Sequence, residues 1–134
     1  MSTIPLSLYV HFPWCVKKCP YCDFNSHVRN NIDQKQWLRS YLSEINRVSK
    51  NTSNRSLNSV FFGGGTPSLI EPWVISDILN EIQKYWKTKD IFEVTLEANP
   101  GSVDAKNFEA YRSAGVNRIS MGIQSLNEKD LKAL

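Results

Sequence analysis

HFPWCVKKCPYCDF, residues 11–24, contains all three cysteines of this 134-residue chain. Cys15, Cys19 and Cys22 follow one another with the spacing C-x3-C-x2-C, directly after a short apolar run. Thiolates on one loop can bind the corners of an iron–sulfur cluster, which normally takes four cysteine ligands. Because the chain has no fourth cysteine, the spacing predicts a cluster in which one iron is open to an added ligand.

Structural zinc is the alternative to a cluster, with His11 or His27 as the fourth ligand. Zinc sites usually pair two short cysteine spacings, whereas this chain has a single group of cysteines, so the spacing favours the cluster. Inert free cysteines are favoured least. The odd number of clustered cysteines and the lack of an export signal argue against disulfides, and they predict a reducing, cytoplasmic location.

Charge and hydropathy exclude several other classes of protein. The net charge is only +3, and the 16 basic residues are spread thinly, so no basic stripe for nucleic acid is present. No run of about 18 apolar residues exists, which excludes a transmembrane helix of the ordinary kind. The N-terminus, MSTIP, lacks the charged and apolar segments of a secretory signal.

Apolar, β-branched runs alternate with helical patterns along the chain. We predict strands at 6–12, 59–62, 91–97 and 116–123, and helices at about 33–50, 68–86, 103–113 and after 127. Asp33 is predicted to cap the first helix, and Ser68 with Glu71 to form a capping box for the second. Trp37, Trp73 and Trp86 are predicted to be core. The alternation predicts a parallel sheet with helices outside, the front part of a larger α/β barrel.

Unusual motifs follow each predicted strand, where parallel α/β proteins collect their functional residues. The cysteine loop follows the first strand, GGGTP (63–67) the second, EANP (97–100) the third, and Gln124 the fourth. The glycine run permits close approach of a ligand, or it is a plain tight turn. Glu97 is a solvated charge or a partner for a ribose diol, and Gln124 is equally ambiguous. Tyr9 and His11 share one face of the first strand, as functional or as satisfied core residues.

Taken together, these motifs closely resemble the radical S-adenosylmethionine (SAM) superfamily. The resemblance rests on C-x3-C-x2-C, GGGTP, E-x-N-P and NRISMGIQS after successive strands, and it covers essentially the whole chain. Tyr9-Val-His11 and RISMGIQS narrow it to the branch that holds oxygen-independent coproporphyrinogen III oxidases (HemN type) and haem chaperones (HemW type). The resemblance implies a partial (β/α)6 TIM-like barrel with about four parallel βα units, in which residues 1–134 are the N-terminal part of the core domain.

The resemblance also implies cofactors and site residues. Cys15, Cys19 and Cys22 would bind a [4Fe-4S] cluster whose open iron chelates SAM, which is then cleaved reductively. No catalytic residue is assigned. The implied SAM contacts come from every strand end: Tyr9 beside SAM and the cluster, Tyr21 at the adenine, Gly64, Gly65 and Thr66 near the amino group, Glu97 at the ribose or amino end, and Gln124. The implied partners are haem or a porphyrinogen, a flavodoxin- or ferredoxin-type electron donor, and a haem-accepting protein.

One departure separates the two members of this branch. The oxidases of this branch have the cysteine pattern C-x3-C-x2-C-x-C. In this chain Phe24 occupies the position of their further cysteine. They also carry an extended segment before the first strand, and this chain starts five residues before it. Both points favour the haem chaperone type, with the oxidase as the alternative and a zinc-stabilised binding module as a third hypothesis.

Overall fold

The computed structural model describes residues 4–100 and 105–134. Along these residues the elements follow in chain order: β1 (Leu6–Phe12), β2 (Trp14–Cys15), β3 (His27–Val28), α1 (Gln34–Ser49), β4 (Ser56–Gly64), a 3-10 helix (Pro67–Leu69), α2 (Pro72–Tyr85), β5 (Lys87–Ala98), α3 (Ala105–Ser113), β6 (Arg118–Met121) and α4 (Glu128–Ala133). No helix in the described ranges is long and apolar enough to cross a membrane.

The main sheet has the strand order β1-β4-β5-β6, and every neighbouring pair is parallel. Parallel neighbours need a crossover connection, which helices α1, α2 and α3 provide between successive strands. This order confirms the predicted α/β architecture of about four parallel βα units. Within the described residues the four strands form an open sheet with β1 and β6 at its edges, as a part of the predicted TIM-like barrel would.

The apolar core lies between one face of this sheet and the helices. Alternate strand residues point to that face because the side-chain period of a strand is two. Helix α2 contributes the facing stripe at three- and four-residue spacing. The most deeply buried apolar side chains of the two layers are Phe12, Leu57, Val60, Phe62, Val94 and Leu96 from the sheet, and Val74, Ile75, Ile78 and Ile82 from α2. The intervening strand residues, Tyr9 and His11 among them, line the opposite face.

The predicted helix starts are right in one case and wrong in the other. Asp33 caps α1, since its side chain accepts a hydrogen bond from the backbone N–H of Gln36 (2.9 Å). The capping box of Ser68 with Glu71 is wrong. Ser68 belongs to the separate 3-10 helix, and Glu71 occupies the N-cap position of α2 without a side-chain hydrogen bond. Pro72 stands in the first turn of α2, where a backbone N–H has no partner within the helix.

Strand ends differ from the predictions by a few residues. The second strand continues through Gly63 and Gly64, which pair with His11 and Phe12, so the glycine run does not stop it. The third strand begins at Lys87, and the fourth is limited to Arg118–Met121. The predicted start of the third helix at residue 103 lies outside the described residues. Gly115, which follows α3, has a φ of 112°, a conformation that favours glycine.

Candidate functional site

The cysteine loop is closed at its base by a pairing that the sequence did not indicate. Strands β2 and β3 pair in parallel, with Trp14 opposite His27 and Cys15 opposite Val28. The backbone N–H of His27 donates to the carbonyl of Pro13 (2.6 Å), and that of Arg29 donates to the carbonyl of Cys15 (3.2 Å). The chain therefore leaves and returns at one point beyond the carboxyl end of β1. Cys15 lies in β2 at this point, and Cys19 and Cys22 lie in the loop between β2 and β3.

A single cleft at the carboxyl ends of the strands contains nearly all of the predicted site. Cys15 is buried, whereas Cys19 and Cys22 are partly exposed. The cleft is lined by the three cysteines and by Tyr21, Gly64, Gly65, Thr66, Glu97 and Gln124, together with Lys17, Lys18, Phe24, Pro67, Ala98, Asn99, Ser120, Met121 and Gly122. Of the residues predicted to contact the cluster or SAM, Tyr9 is the one that lies outside it.

The glycine run, GGGTP (63–67), packs directly on the first residues of the cysteine loop. The N–H of Gly65 donates to the carbonyl of Phe12 (2.7 Å), and the N–H of Thr66 donates to the carbonyl of Trp14 (2.8 Å). A Cβ at Gly65 would lie 2.7 Å from the Trp14 oxygen and 2.8 Å from the Cys15 sulfur. Only glycine fits so close an approach. The glycine run is therefore part of the cleft wall beside a thiol, and not a plain turn.

Glu97 is held by this same loop. Its Oε2 accepts a hydrogen bond from the backbone N–H of Gly64 (3.1 Å), and Gly64 has a φ of 123°. Gln124 follows β6 with a φ of 65°, a conformation that is uncommon for residues other than glycine. The carboxylate is thus more than a solvated charge, and the amide of Gln124 is delivered to the cleft by an unusual backbone turn.

Tyr9 and His11 connect the sheet face to the cysteine loop. The Nε2 of His11 lies 3.0 Å from the carbonyl of Asn25, and its Nδ1 lies 3.3 Å from the hydroxyl of Tyr9. Since a carbonyl can only accept, Nε2 carries the hydrogen and Nδ1 accepts from the phenol. Partial burial and then the nearby Glu97 carboxylate raise the pKa of Tyr9. Both side chains have hydrogen-bond partners within the protein, and the contact of Tyr9 with SAM stays a prediction.

The thiols and histidines do not form a site for a single ion. Within residues 4–100 and 105–134, no three His, Cys, Asp or Glu side chains lie close enough together to bind one metal ion. His27 Nε2 lies 3.2 Å from Oδ1 of Asn25, and neither histidine is among the side chains that line the cleft. The phenol of Tyr21 forms a hydrogen bond with Cys19, and this bond raises the pKa of Tyr21. Soft thiolates around open space against side-chain-free glycines fit an iron–sulfur cluster.

Sequence reasoning missed several residues of the cleft. Lys18 extends its ammonium across the loop to the carbonyl of Phe24 (2.9 Å) and to the hydroxyl of Ser26 (2.9 Å). Asn99 and Met121 follow from strand positions, because each lies at or just beyond the carboxyl end of its strand. Nothing in the sequence indicates the Lys18 contacts, which depend on how the loop folds back.

The chain is similar in sequence to several known proteins. The heme chaperone HemW of Haemophilus influenzae is 49% identical to the chain over 135 residues, and HemW of Escherichia coli is 43% identical over 131 residues. Each alignment covers 97% of this chain and 35% of the relative, so the chain spans about a third of the length of these curated relatives. The radical S-adenosyl methionine domain-containing protein 1 of Bos taurus is 40% identical over 128 residues.

A solved structure and a family model agree with these matches. The structure of coproporphyrinogen III oxidase HemN from Escherichia coli, described as a radical SAM enzyme, matches with a TM-score of 0.84 and 29% identity. The match covers 96% of this chain and 30% of that chain. The family model described as the radical SAM superfamily matches residues 9–134. The cysteine loop, the strand order and these matches agree: the chain belongs to the radical SAM superfamily.

Proposed function

We propose that this chain carries the cluster- and SAM-binding part of a haem chaperone. Membership of the radical SAM superfamily implies SAM and a [4Fe-4S] cluster as cofactors. We assign the cluster to the thiolates of Cys15, Cys19 and Cys22, and residues 1–134 to the N-terminal part of the core domain. The observation that carries the proposal is the single cleft that these cysteines share with the carboxyl ends of β4, β5 and β6.

Residues around the cleft offer SAM both hydrogen-bonding groups and space. We infer that Glu97 accepts from the ribose or the amino group and that Gly64 and Gly65 allow close approach with Thr66 beside them. Gln124 is proposed to contact SAM from the loop after β6. Tyr21 stands next to Cys19 with an exposed ring suited to the adenine. When bound, the cluster and SAM supply reductive cleavage of SAM, for which a flavodoxin- or ferredoxin-type protein would donate the electron.

The chaperone function is favoured over porphyrin oxidation by two observations. The relatives named heme chaperone HemW are 40–49% identical to this chain. Phe24 occupies the position of the further cysteine of the oxidase pattern, and its side chain is 68% exposed at the cleft. We infer that the protein binds haem in the cytoplasm and transfers it to an acceptor protein.

Haem titration of the anaerobically reconstituted protein tests this function. We expect saturable, stoichiometric haem binding in the absorption spectrum, without decarboxylation of coproporphyrinogen III. A Phe24→Cys variant restores the thiol of the oxidase pattern and serves as the matched comparison. Rapid turnover of coproporphyrinogen III by the natural protein, with no haem bound, would overturn the chaperone assignment.

The second candidate function is coproporphyrinogen III oxidation, which the structural match to HemN favours. It predicts the reverse outcome in the same assay, namely porphyrinogen turnover without stoichiometric haem binding. Metal analysis of anaerobically purified protein separates both from a zinc-stabilised module. Iron with sulfide supports the cluster, and zinc without either would contradict it.

A further inference from the structure

The ammonium of Lys18 forms hydrogen bonds across the cysteine loop, to Phe24 and Ser26. Lys18 stands directly before Cys19, and its Nζ lies 2.9 Å from the carbonyl of Phe24, 2.9 Å from the hydroxyl of Ser26 and 3.4 Å from the carbonyl of Ser26. An ammonium has three hydrogens to donate, and three acceptors are present. Lys18 is an exposed residue, but its ammonium has an acceptor in the loop for each of its three hydrogens.

The buried hydroxyl of Ser26 is the centre of these contacts. Ser26 is 8% exposed, and its oxygen accepts from Lys18, so its own hydrogen needs another acceptor. The two atoms within reach are the carbonyl of Phe24 at 3.3 Å and the sulfur of Cys22 at 3.9 Å. The Phe24 carbonyl accepts from Lys18 and, with its second lone pair, can also accept from Ser26. A Cys22 thiolate is the stronger acceptor, because hydrogen bonds to ionised groups are stronger than neutral ones.

We propose that Lys18 and Ser26 are positioning residues that orient the Cys22 thiolate and raise the reduction potential of the cluster it binds. Lys18 holds the Ser26 oxygen, and the Ser26 hydroxyl donates to the Cys22 sulfur. Hydrogen bonds to the ligand sulfurs and nearby charge are known determinants of cluster potential. Reduction adds negative charge, so a donor and a cation at this place stabilise the reduced cluster more than the oxidised one.

The neighbouring Lys17 provides a matched comparison. It lines the same cleft and carries the same charge, yet no hydrogen bond of its side chain occurs within the described part of the chain. Removing Lys17 subtracts a charge near the cluster without breaking a contact in the loop. Removing Lys18 subtracts the same charge and also frees Ser26.

The test is a redox titration of the reconstituted protein, monitored by electron paramagnetic resonance without SAM or haem. For Ser26→Ala we expect about a tenfold lower ratio of reduced to oxidised cluster at a fixed potential, which for one electron is about 59 mV. Ser26→Thr keeps the hydroxyl and should restore the natural value. Lys18→Met should shift the potential in the same direction and by more than Lys17→Met does.

Two results would overturn the proposal. One is an unchanged potential in Ser26→Ala that retains its iron and sulfide, and the other is an equal shift in the two lysine variants. Where a variant does not retain a cluster, the positioning role of Lys18 is tested by amide hydrogen exchange of the apoprotein. The His27 N–H, bonded to Pro13, should exchange faster in Lys18→Met than in Lys17→Met, and equal rates would refute the positioning role. The proposal rests on the proposed cluster, but a failure to bind haem leaves these readouts unaffected.

Discussion

Replacing Gly65 by alanine tests the packing of the glycine loop on the first cluster thiol. The added Cβ would lie 2.7 Å from the Trp14 carbonyl oxygen and 2.8 Å from the Cys15 sulfur. Neither atom is the free end of a flexible side chain. The carbonyl accepts from the N–H of Thr66, and Cys15 is 7% exposed. The clash must therefore displace the backbone of β2 or the thiol itself.

The magnitude follows from the usual cost of overpacking. We expect Gly65→Ala to lower the free energy of unfolding by about 1–3 kcal/mol, measured by urea denaturation. We also expect a lower content of iron and sulfide after anaerobic reconstitution, because Cys15 no longer lies where the other two thiols need it.

Gly122→Ala is the matched control in the same cleft. Its Cβ would meet the Nε2 atom of Gln124 at 2.8 Å, the end of an exposed side chain that can rotate away. A surface change of this kind usually alters stability by less than about 0.5 kcal/mol. Equal stability and equal iron content in the Gly65 and Gly122 variants would refute the steric argument.

Two further predictions concern ionisable groups. Glu97→Gln should weaken SAM binding by about 10- to 150-fold, because a hydrogen bond to a charged group contributes about 1.5–3 kcal/mol. An unchanged dissociation constant in calorimetry would contradict the role of Glu97. Burial and then the Glu71 carboxylate raise the pKa of Tyr111 to about 12. Folding therefore favours the protonated phenol, and its stabilisation, present below pH 10, is lost as the pH rises to about 12. Two pKa units correspond to about 3 kcal/mol. We therefore expect the free energy of unfolding, measured with urea, to fall less at alkaline pH in Tyr111→Phe than in the natural protein. An equal fall in both proteins would show that the ionisation of Tyr111 is not its cause.

The strand order and the location of the site follow from local pattern in the sequence. Short apolar runs separated by amphipathic helices leave few arrangements other than a parallel sheet. Each motif then falls at the same end of that sheet by topology alone. Cys15, Gly65, Glu97 and Gln124 are far apart in the chain, yet their meeting in one cleft required no knowledge of side-chain packing.

The errors occur where neighbours in space decide the structure. Trp86 is core as predicted, with 2% exposure, but Trp73 is 42% exposed, because it lies in the first turn of α2 before the buried stripe begins at Val74. Ser68 was assigned to a helix cap from its spacing to Glu71. In the structure Ser68 is part of the 3-10 helix, and its carbonyl is held by the hydroxyl of Tyr111, a partner 43 residues away.

The pairing of β2 with β3 and the contacts of Lys18 have no periodic signature. Two residues are too few for a strand pattern, so the closure of the cysteine loop by Trp14–Cys15 and His27–Val28 is invisible before folding. A lysine beside a cysteine motif likewise looks like any exposed charge until the loop folds back on Ser26. These features depend on loop geometry, which composition and spacing do not determine.

The proposed cluster has one iron without a cysteine ligand, to which SAM binds. The spectrum of the reduced cluster tests this binding most directly. Electron paramagnetic resonance of the reconstituted, reduced protein should change when SAM is added, because SAM binds the iron that lacks a cysteine ligand. A Cys19→Ala variant should lose the signal together with its iron. A cluster spectrum that is identical with and without saturating SAM would contradict the account.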